Sequence, residues 1–403
     1  AFRGSTGEIL MTFLRLGTTS FGGPVAHLAY FRREFVERRA WLDETRFAQL
    51  LVLCQLLPGP ASSQLGFAIG LTRGGFVGAL AAFVGFTMPS VVLLLLFAAL
   101  TPSLGAPGAQ ALVHGLHLLA VSVVADALTR MVPSLAPDGR RGAIAILSLV
   151  VALVVSSAGG QLLAIGAGAV AGALWCRSAD AGDESHVALP VSGRAAAVAA
   201  LLFVGVLLTA LLATPSTVGS PAALAAAFAR AGSLVFGGGH VVLPLLETSL
   251  VDPGWIAPER FLAGYGAAQL VPGPLFSVSA YFGALSSTGA PAWVGALVAV
   301  LAMFAPGFLL LVAVVPAWSR LRRLPRATSV VAGANAAVVG VLGAALVDPV
   351  IRSTIRTPFD VGIAGVALLL LQRTRAGPLL VGAWCLLAAL LFASPAGRLT
   401  FSP

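Results

Sequence analysis

The sequence predicts an all-α polytopic membrane protein built as an inverted-topology repeat of two homologous halves, with broken or re-entrant helical hairpins in each half. Three observations predict it. Hydrophobic residues make up 58% of the 403 and charged residues only 10%, against roughly 25% charged in a soluble domain. Apolar runs recur from end to end, leaving no stretch polar enough for a soluble domain of ordinary size. The segment FLRLGTTSFGGP (13–24) returns as FARAGSLVFGGG (228–239), and matching loops of the two copies differ in charge.

The elements follow in order. The first broken segment, 8–31, turns at Phe21-Gly22-Gly23-Pro24, where two glycines permit a tight turn and Pro24 suits the start of a half-helix. The second, 47–70, breaks at Pro58-Gly59-Pro60, with 61–70 as the following half-helix. The copies at 225–245 and 261–283 break at Phe236-Gly237-Gly238-Gly239 and at Pro272-Gly273-Pro274. Gly78 and Pro89 align with Gly295 and Pro306. The expected division is residues 1–180 for the first repeat, 181–221 for a connecting loop and linker segment, and 222–403 for the second repeat.

Charge sets the relative orientation. FRREFVERRAWLDETR (31–46) carries five arginines where ETSLVDPGWIAPER (247–260) carries one, and RLRRLPR (320–326) is basic where TPSLGAPGAQ (101–110) is uncharged. Under the positive-inside rule, corresponding loops then lie on opposite sides of the bilayer, a plan shared by many secondary transporters. With the broken segments re-entrant and the other apolar runs spanning, only Arg260, Arg352, Arg356 and Arg398 fall outside.

Breaks inside apolar segments expose backbone groups that hydrocarbon cannot satisfy, so they belong to the protein interior. A helix start there offers unpaired N–H groups and a partial positive charge, which suits an anion. Four such starts, with Ser20, Ser62, Ser63 and Ser277 as added donors, predict a site for a small oxyanion. Gln55 and Gln269 precede the Pro-Gly-Pro breaks and supply uncharged donors, or bridge helices. Arg15 and Arg230 lie two helical turns before the breaks. Intramembrane arginines are costly and usually functional, so the pair either attracts anions at the two mouths or snorkels to the interfaces. His240 and Asp126 are candidates for proton coupling, or are structural.

His114 and His117 have no carboxylate or cysteine near them in sequence, so no metal site is expected, and no cofactor. The scattered Cys54, Cys176 and Cys385 suggest neither a disulfide framework nor zinc. All 24 basic residues are arginine and the net charge is +9, which in so apolar a chain points away from nucleic acid and toward the lipid bilayer or an anionic substrate. A lipid-phosphate enzyme is the rival class, but no intramembrane nucleophile–base pair is present. The chain therefore reads as a non-enzyme, and a homodimer is compatible with it.

FLRLGTTSFGGP, followed by YFRREFVERRAWLDETRFAQLLVLCQLLPGPASSQLGFAIG and the degenerate copy FGGGHVVLPLLE…FLAGYGAAQLVPGPLFSVSAYFG, closely resembles the chromate ion transporter family in its two-domain long-chain form. The resemblance covers nearly the whole chain. It implies a multi-pass inner-membrane protein that exports chromate and gives chromate resistance, with sulfate as the expected competitor. Its motifs fall on Gly22, Gly23, Pro58, Gly59, Pro60, Gly237, Gly238, Pro272, Gly273 and Pro274. Gly239 stands where the first copy has Pro24.

Overall fold

The computed structural model describes residues 4–100, 107–155, 157–176, 189–213, 219–236, 239–318, 325–373 and 377–392. These residues are helical, with no strand among them. Gly237 and Gly238 lie outside the described residues.

In the first half, α1 (Thr6–Thr19) stops at Ser20 and α2 (Gly23–Arg32) starts after Gly22. A six-residue π-helical turn, Arg33–Arg38, leads to α3 (Glu44–Leu56) and then α4 (Ala61–Leu100). Gly22 and Gly23 take φ of 102° and 71°, a left-handed backbone that glycine adopts without a Cβ clash. This turn sends α2 back alongside α1, where Phe31 meets Phe13 edge-on at 5.7 Å. Arg39, in the loop beyond α2, reaches Glu8 at 3.3 Å, and Arg73 at the end of the next hairpin arm is 3.9 Å from Glu8. Loop, α1 start and α4 turn therefore share one face of the protein, and both broken segments are re-entrant.

The forty residues of α4 are not one rod. Gly75 has φ 65° and ψ −158°, and the chain folds back so tightly that a Cβ on Gly70 would lie 2.5 Å from the Gly78 carbonyl oxygen. Among the described residues five helices are long and apolar enough to cross a membrane, Ala61–Leu100 being one of them. Only its second arm, from Phe76 onward, makes the crossing.

Three further helices complete this half: α5 (Pro107–Leu135), α6 (Gly139–Val154) and α7 (Ala158–Trp175). A linker helix, α8 (Gly193–Leu212), follows. The second half repeats the plan in α9 (Pro221–Leu234), α10 (Val242–Leu250), α11 (Pro258–Leu270), α12 (Val278–Leu285) and α13 (Ala292–Val314). It closes with α14 (Pro325–Ala345), α15 (Pro358–Arg373) and α16 (Pro378–Phe392). Phe261 stacks on Phe282 at 4.7 Å, so α11 and α12 form a hairpin as α3 and the first arm of α4 do.

The two halves are inverted. Phe308, toward the end of α13, stacks on Phe67 at 4.5 Å and meets Phe83 at 5.1 Å, near the start of the long arm of α4. Reciprocally, Phe97 toward the end of α4 stacks on Tyr281 at 5.3 Å. Phe67 and Tyr281 are aligned residues, so each half lays the same hairpin position on the long helix of the other.

Small residues set the closest packing. Gly17 brings α1 against α4, where a Cβ would come 2.7 Å from the Phe86 carbonyl oxygen, and its counterpart Gly232 abuts the Met303 carbonyl. The halves also exchange helices. α5 of the first packs on α15 and α16 through Ser122–Ala364 and Gly115–Cys385 contacts, and α14 of the second packs on α6 and α7 through Gly340–Ala145 and Gly333–Gly172.

The inversion makes a labelling prediction. In a chain whose three cysteines are replaced, Glu37→Cys and Ala257→Cys should react with a membrane-impermeant maleimide from opposite sides of sealed vesicles. Reaction of both from one side would contradict the topology. Gly232→Val should lower stability by about 1–3 kcal/mol or more, because the opposing group is backbone and cannot move aside; thermal unfolding in detergent measures it.

Candidate anion-binding site

The broken hairpins meet in the interior in two crossings. At the first, the Gly273 N–H of the second-half Pro-Gly-Pro break donates to Ser20 O of the first-half break at 2.9 Å. At the second, Gly59 N–H donates to Val235 O at 2.7 Å. Gly59 and Gly273 have φ of 118° and 96°, and both breaks lean on the long helix of the other half: a Cβ on Gly59 would lie 3.0 Å from Gly307 Cα, and one on Gly273 would lie 2.8 Å from Ser90 Oγ. Each half supplies the partner that the other half's broken backbone lacks.

Several helices that start at a surface carry side-chain caps, with Ser5 accepting from Glu8 N–H, Asp43 from Arg46 N–H, Asp138 from Arg140 and Arg141 N–H, and Ser220 from Ala223 N–H. At the interior breaks α2 begins directly after Gly22, whereas α10 and α12 continue from 3-10 turns at Gly239–Val241 and Leu275–Ser277, so that the Val278 N–H already donates to Leu275 O.

Hydroxyls surround the first crossing. Ser90 Oγ donates to Ser277 Oγ at 2.9 Å, and His27 joins Ser20 O (3.2 Å) to Ser62 Oγ (3.5 Å). The hydroxyls of Ser20, Ser63, Thr87 and Ser279 are buried and make no hydrogen bond. Unpaired buried hydroxyls are uncommon and call for a partner. Gln64 Nε2 pins the second crossing by donating to Pro58 O and Gly307 O, both at 2.9 Å. The first turn of α4, through Ser62 and Gln64, links the two crossings.

The structure thus brings together Ser20, Gly59, Ser62, Ser63, Gly273 and Ser277. Phe21, Gly22, Gly23, Pro58 and Pro60 flank them on the first-half breaks, and Phe236, Gly239, Pro272 and Pro274 on the second. Gln55 is exposed, away from this interior, and Gln269 is half-buried one helical turn beyond Tyr265.

The two aligned arginines do not play matching parts. Arg15 is exposed and lines a cleft of about 330 Å³ with Leu16, Thr19, Tyr30, Arg33, Glu34 and Arg38. It lies about 13 Å along α1 from Thr6, at 1.5 Å per residue. Arg230 instead donates through Nε and Nη2 to Ala210 O at 3.0 and 2.8 Å and through Nη2 to Ala213 O at 3.2 Å. It satisfies the carbonyl end of α8, which corrects the expectation of a symmetric pair of anion-attracting arginines.

In the Arg15 cleft, burial raises the proton affinity of Glu34, but hydrogen bonds from Arg39 and Arg38 outweigh it and hold the carboxyl below its ordinary range. Glu34 is therefore ionised and offsets those two arginines. Arg15 and Arg33 keep their charge unpaired among the described residues.

Asp126 accepts from Arg130 Nε at 2.9 Å one turn away on α5, and His240 Nδ1 meets Tyr265 OH at 2.9 Å. His117 bonds Glu259 O and His114 bonds Asp360 at 2.7 Å, so these two histidines tether α5 to α11 and to the start of α15. His27, Gln64, Thr87, Ser90 and Ser279 were not singled out from sequence. A polar residue within one or two turns of an interior break is the signal that finds His27, Gln64 and Ser279; Thr87 and Ser90, on the long arm of α4, carry no such local signal.

Fold and site define a polytopic membrane protein of the inverted-repeat transporter class. The family model for chromate transporters matches residues 7–173 and 222–393, and the chain belongs to that family. Membership supports chromate transport across a membrane. The chain is 27% identical to the chromate transport protein of Cupriavidus metallidurans over 96% of its own length and 93% of the relative's. It is also 27% identical to the chromate transport protein of Pseudomonas aeruginosa, over 85% and 80%. No solved structure matches the chain.

The crossings are testable by a double-mutant cycle. Ser90→Ala and Ser277→Ala should each cost about 1 kcal/mol of stability, as a lost hydrogen bond does, and the double variant should cost less than their sum. Strict additivity would mean that the pair is not coupled.

Proposed function

We propose that this chain is a secondary transporter that exports chromate across the inner membrane and thereby confers chromate resistance. The anion passes by alternating access through the first crossing. The observation that carries this reading is the meeting of the two halves' broken backbones with buried, unpaired hydroxyls, beside a cleft lined by Arg15 and Arg33.

Chromate is a compact tetrahedral dianion. Neutral hydroxyl and N–H donors suit it, since their fixed dipoles stabilise charge without an ion pair that would hold the anion fast. Arg15 and Arg33 raise the local concentration of anions at the mouth of the cleft, and Thr19, one turn beyond Arg15, stands next to Ser20 at the break.

The loop of Arg32, Arg33, Arg38 and Arg39 shares its face with Arg73 through Glu8, and the inverted plan assigns Arg260, Arg352 and Arg356 to the opposite face. The positive-inside rule supports a cytoplasmic placement of the first group. The Arg15 cleft then opens to the cytoplasm, and an inside-negative potential favours outward movement of an anion by about 2.3 kcal/mol per charge per 100 mV. In this reading, passage of the anion parts the Gly273–Ser20 and Gly59–Val235 bonds.

Uptake of radiolabelled chromate into everted vesicles under an imposed potential tests the reading. Arg15→Ala and Arg33→Ala should each raise KM by roughly tenfold, the low end of electrostatic steering, with maximal rate retained. Arg230→Gln should reduce protein level rather than KM. Sulfate should compete. Equal KM values for all variants would remove the cleft from the pathway, and saturable sulfate uptake without chromate uptake would reassign the substrate.

A further inference from the structure

We propose that His27 is the proton-binding group of the anion pathway, so that each dianion crosses together with one proton. The proposal rests on the oxyanion reading of the crossing and adds a charge stoichiometry to it. His27 is fully buried on α2, four residues beyond the Gly22-Gly23 turn. Its Nε2 lies 3.2 Å from Ser20 O, an acceptor, so Nε2 carries the ring proton and Nδ1 is left with a lone pair. Nδ1 faces Ser62 Oγ at 3.5 Å, the outer limit of a hydrogen bond. Phe86 packs edge-on against the ring at 5.2 Å.

Every other group around the ring is neutral. The end of α1 contributes Ser20, α4 contributes Ser62 and Phe86, and among the described residues no charged side chain bears on the ring. A buried imidazole without a counter-charge stays uncharged. Arrival of a dianion at Ser20 and Ser62 supplies the missing charge and favours the imidazolium.

The steps balance. The Ser62 hydroxyl turns its hydrogen from Nδ1 to an anion oxygen, and Nδ1 takes a proton from water entering with the anion, the hydroxide so formed returning to the solvent on the side of entry. The new Nδ1–H donates to Ser62 Oγ, and Nε2–H stays on Ser20 O. On the far side the anion leaves, the imidazolium loses its partner, and Nδ1 returns the proton to water. One net negative charge moves per cycle, which an inside-negative potential still drives outward. His240 lacks this geometry, because its Nδ1 is held by Tyr265 OH.

The experiment uses the full chain in detergent at alkaline pH, where chromate is the dianion, with a pH indicator following chromate addition. Wild type should take up about one proton per chromate bound. His27→Gln, whose amide can still donate to Ser20 O and accept from Ser62, should bind chromate with no proton uptake. In proteoliposomes its charge moved per chromate should rise about twofold, and its pH dependence should flatten.

Chromate binding by wild type without proton uptake would overturn the proposal. Proton uptake unchanged in His27→Gln would do so as well. No chromate binding by folded wild type would sink the oxyanion reading itself. If His27→Gln does not fold, the wild-type proton count decides alone.

Discussion

A peptide group in hydrocarbon must find its hydrogen bond within the protein, and that constraint organises this molecule. Each half breaks its helices twice inside the bilayer, and neither half can satisfy the breaks by itself. The Gly273–Ser20 and Gly59–Val235 bonds do so across the pseudo-two-fold relation. Inversion is therefore more than a record of duplication. It places a donor glycine of one half opposite an acceptor carbonyl of the other, twice.

Charge and polarity are arranged in layers around that centre. Guanidinium groups stand at the mouth of the Arg15 cleft, where water screens them, and the first crossing is surrounded by hydroxyls, backbone amides and the His27 imidazole. A full cation in the interior would need a permanent counter-ion, and the pair would bind each other rather than a passing anion. Arg230 fits the same logic, since its charge is absorbed by the carbonyl end of α8.

The features legible in the sequence were those written in local code. Glycine and proline spacing located the breaks, the repeat located their partners, and the unequal arginine content of 31–46 and 247–260 gave the inversion. Tertiary facts were not legible. Nothing near Arg230 says that Ala210 and Ala213, on a linker helix outside both repeats, will end beside it. Nothing near Gly273 says that its amide points at Ser20. His27 has Val242 at its aligned position in the second half, and nothing in its local sequence says that its ring will meet Ser20 O and Ser62. A working site need not be symmetric even when its scaffold is.

The exchange of α5 and α14 between the halves bears on how the chain is made. During synthesis α5 enters the bilayer long before α15 and α16 exist, and its Gly115 seam and Ser122 hydroxyl face lipid or the insertion machinery until then. The first half's breaks wait equally long for their acceptors. The nascent first repeat is thus an incomplete object that a membrane chaperone or the translocon must shelter, and release of the finished protein depends on translation of its last two helices.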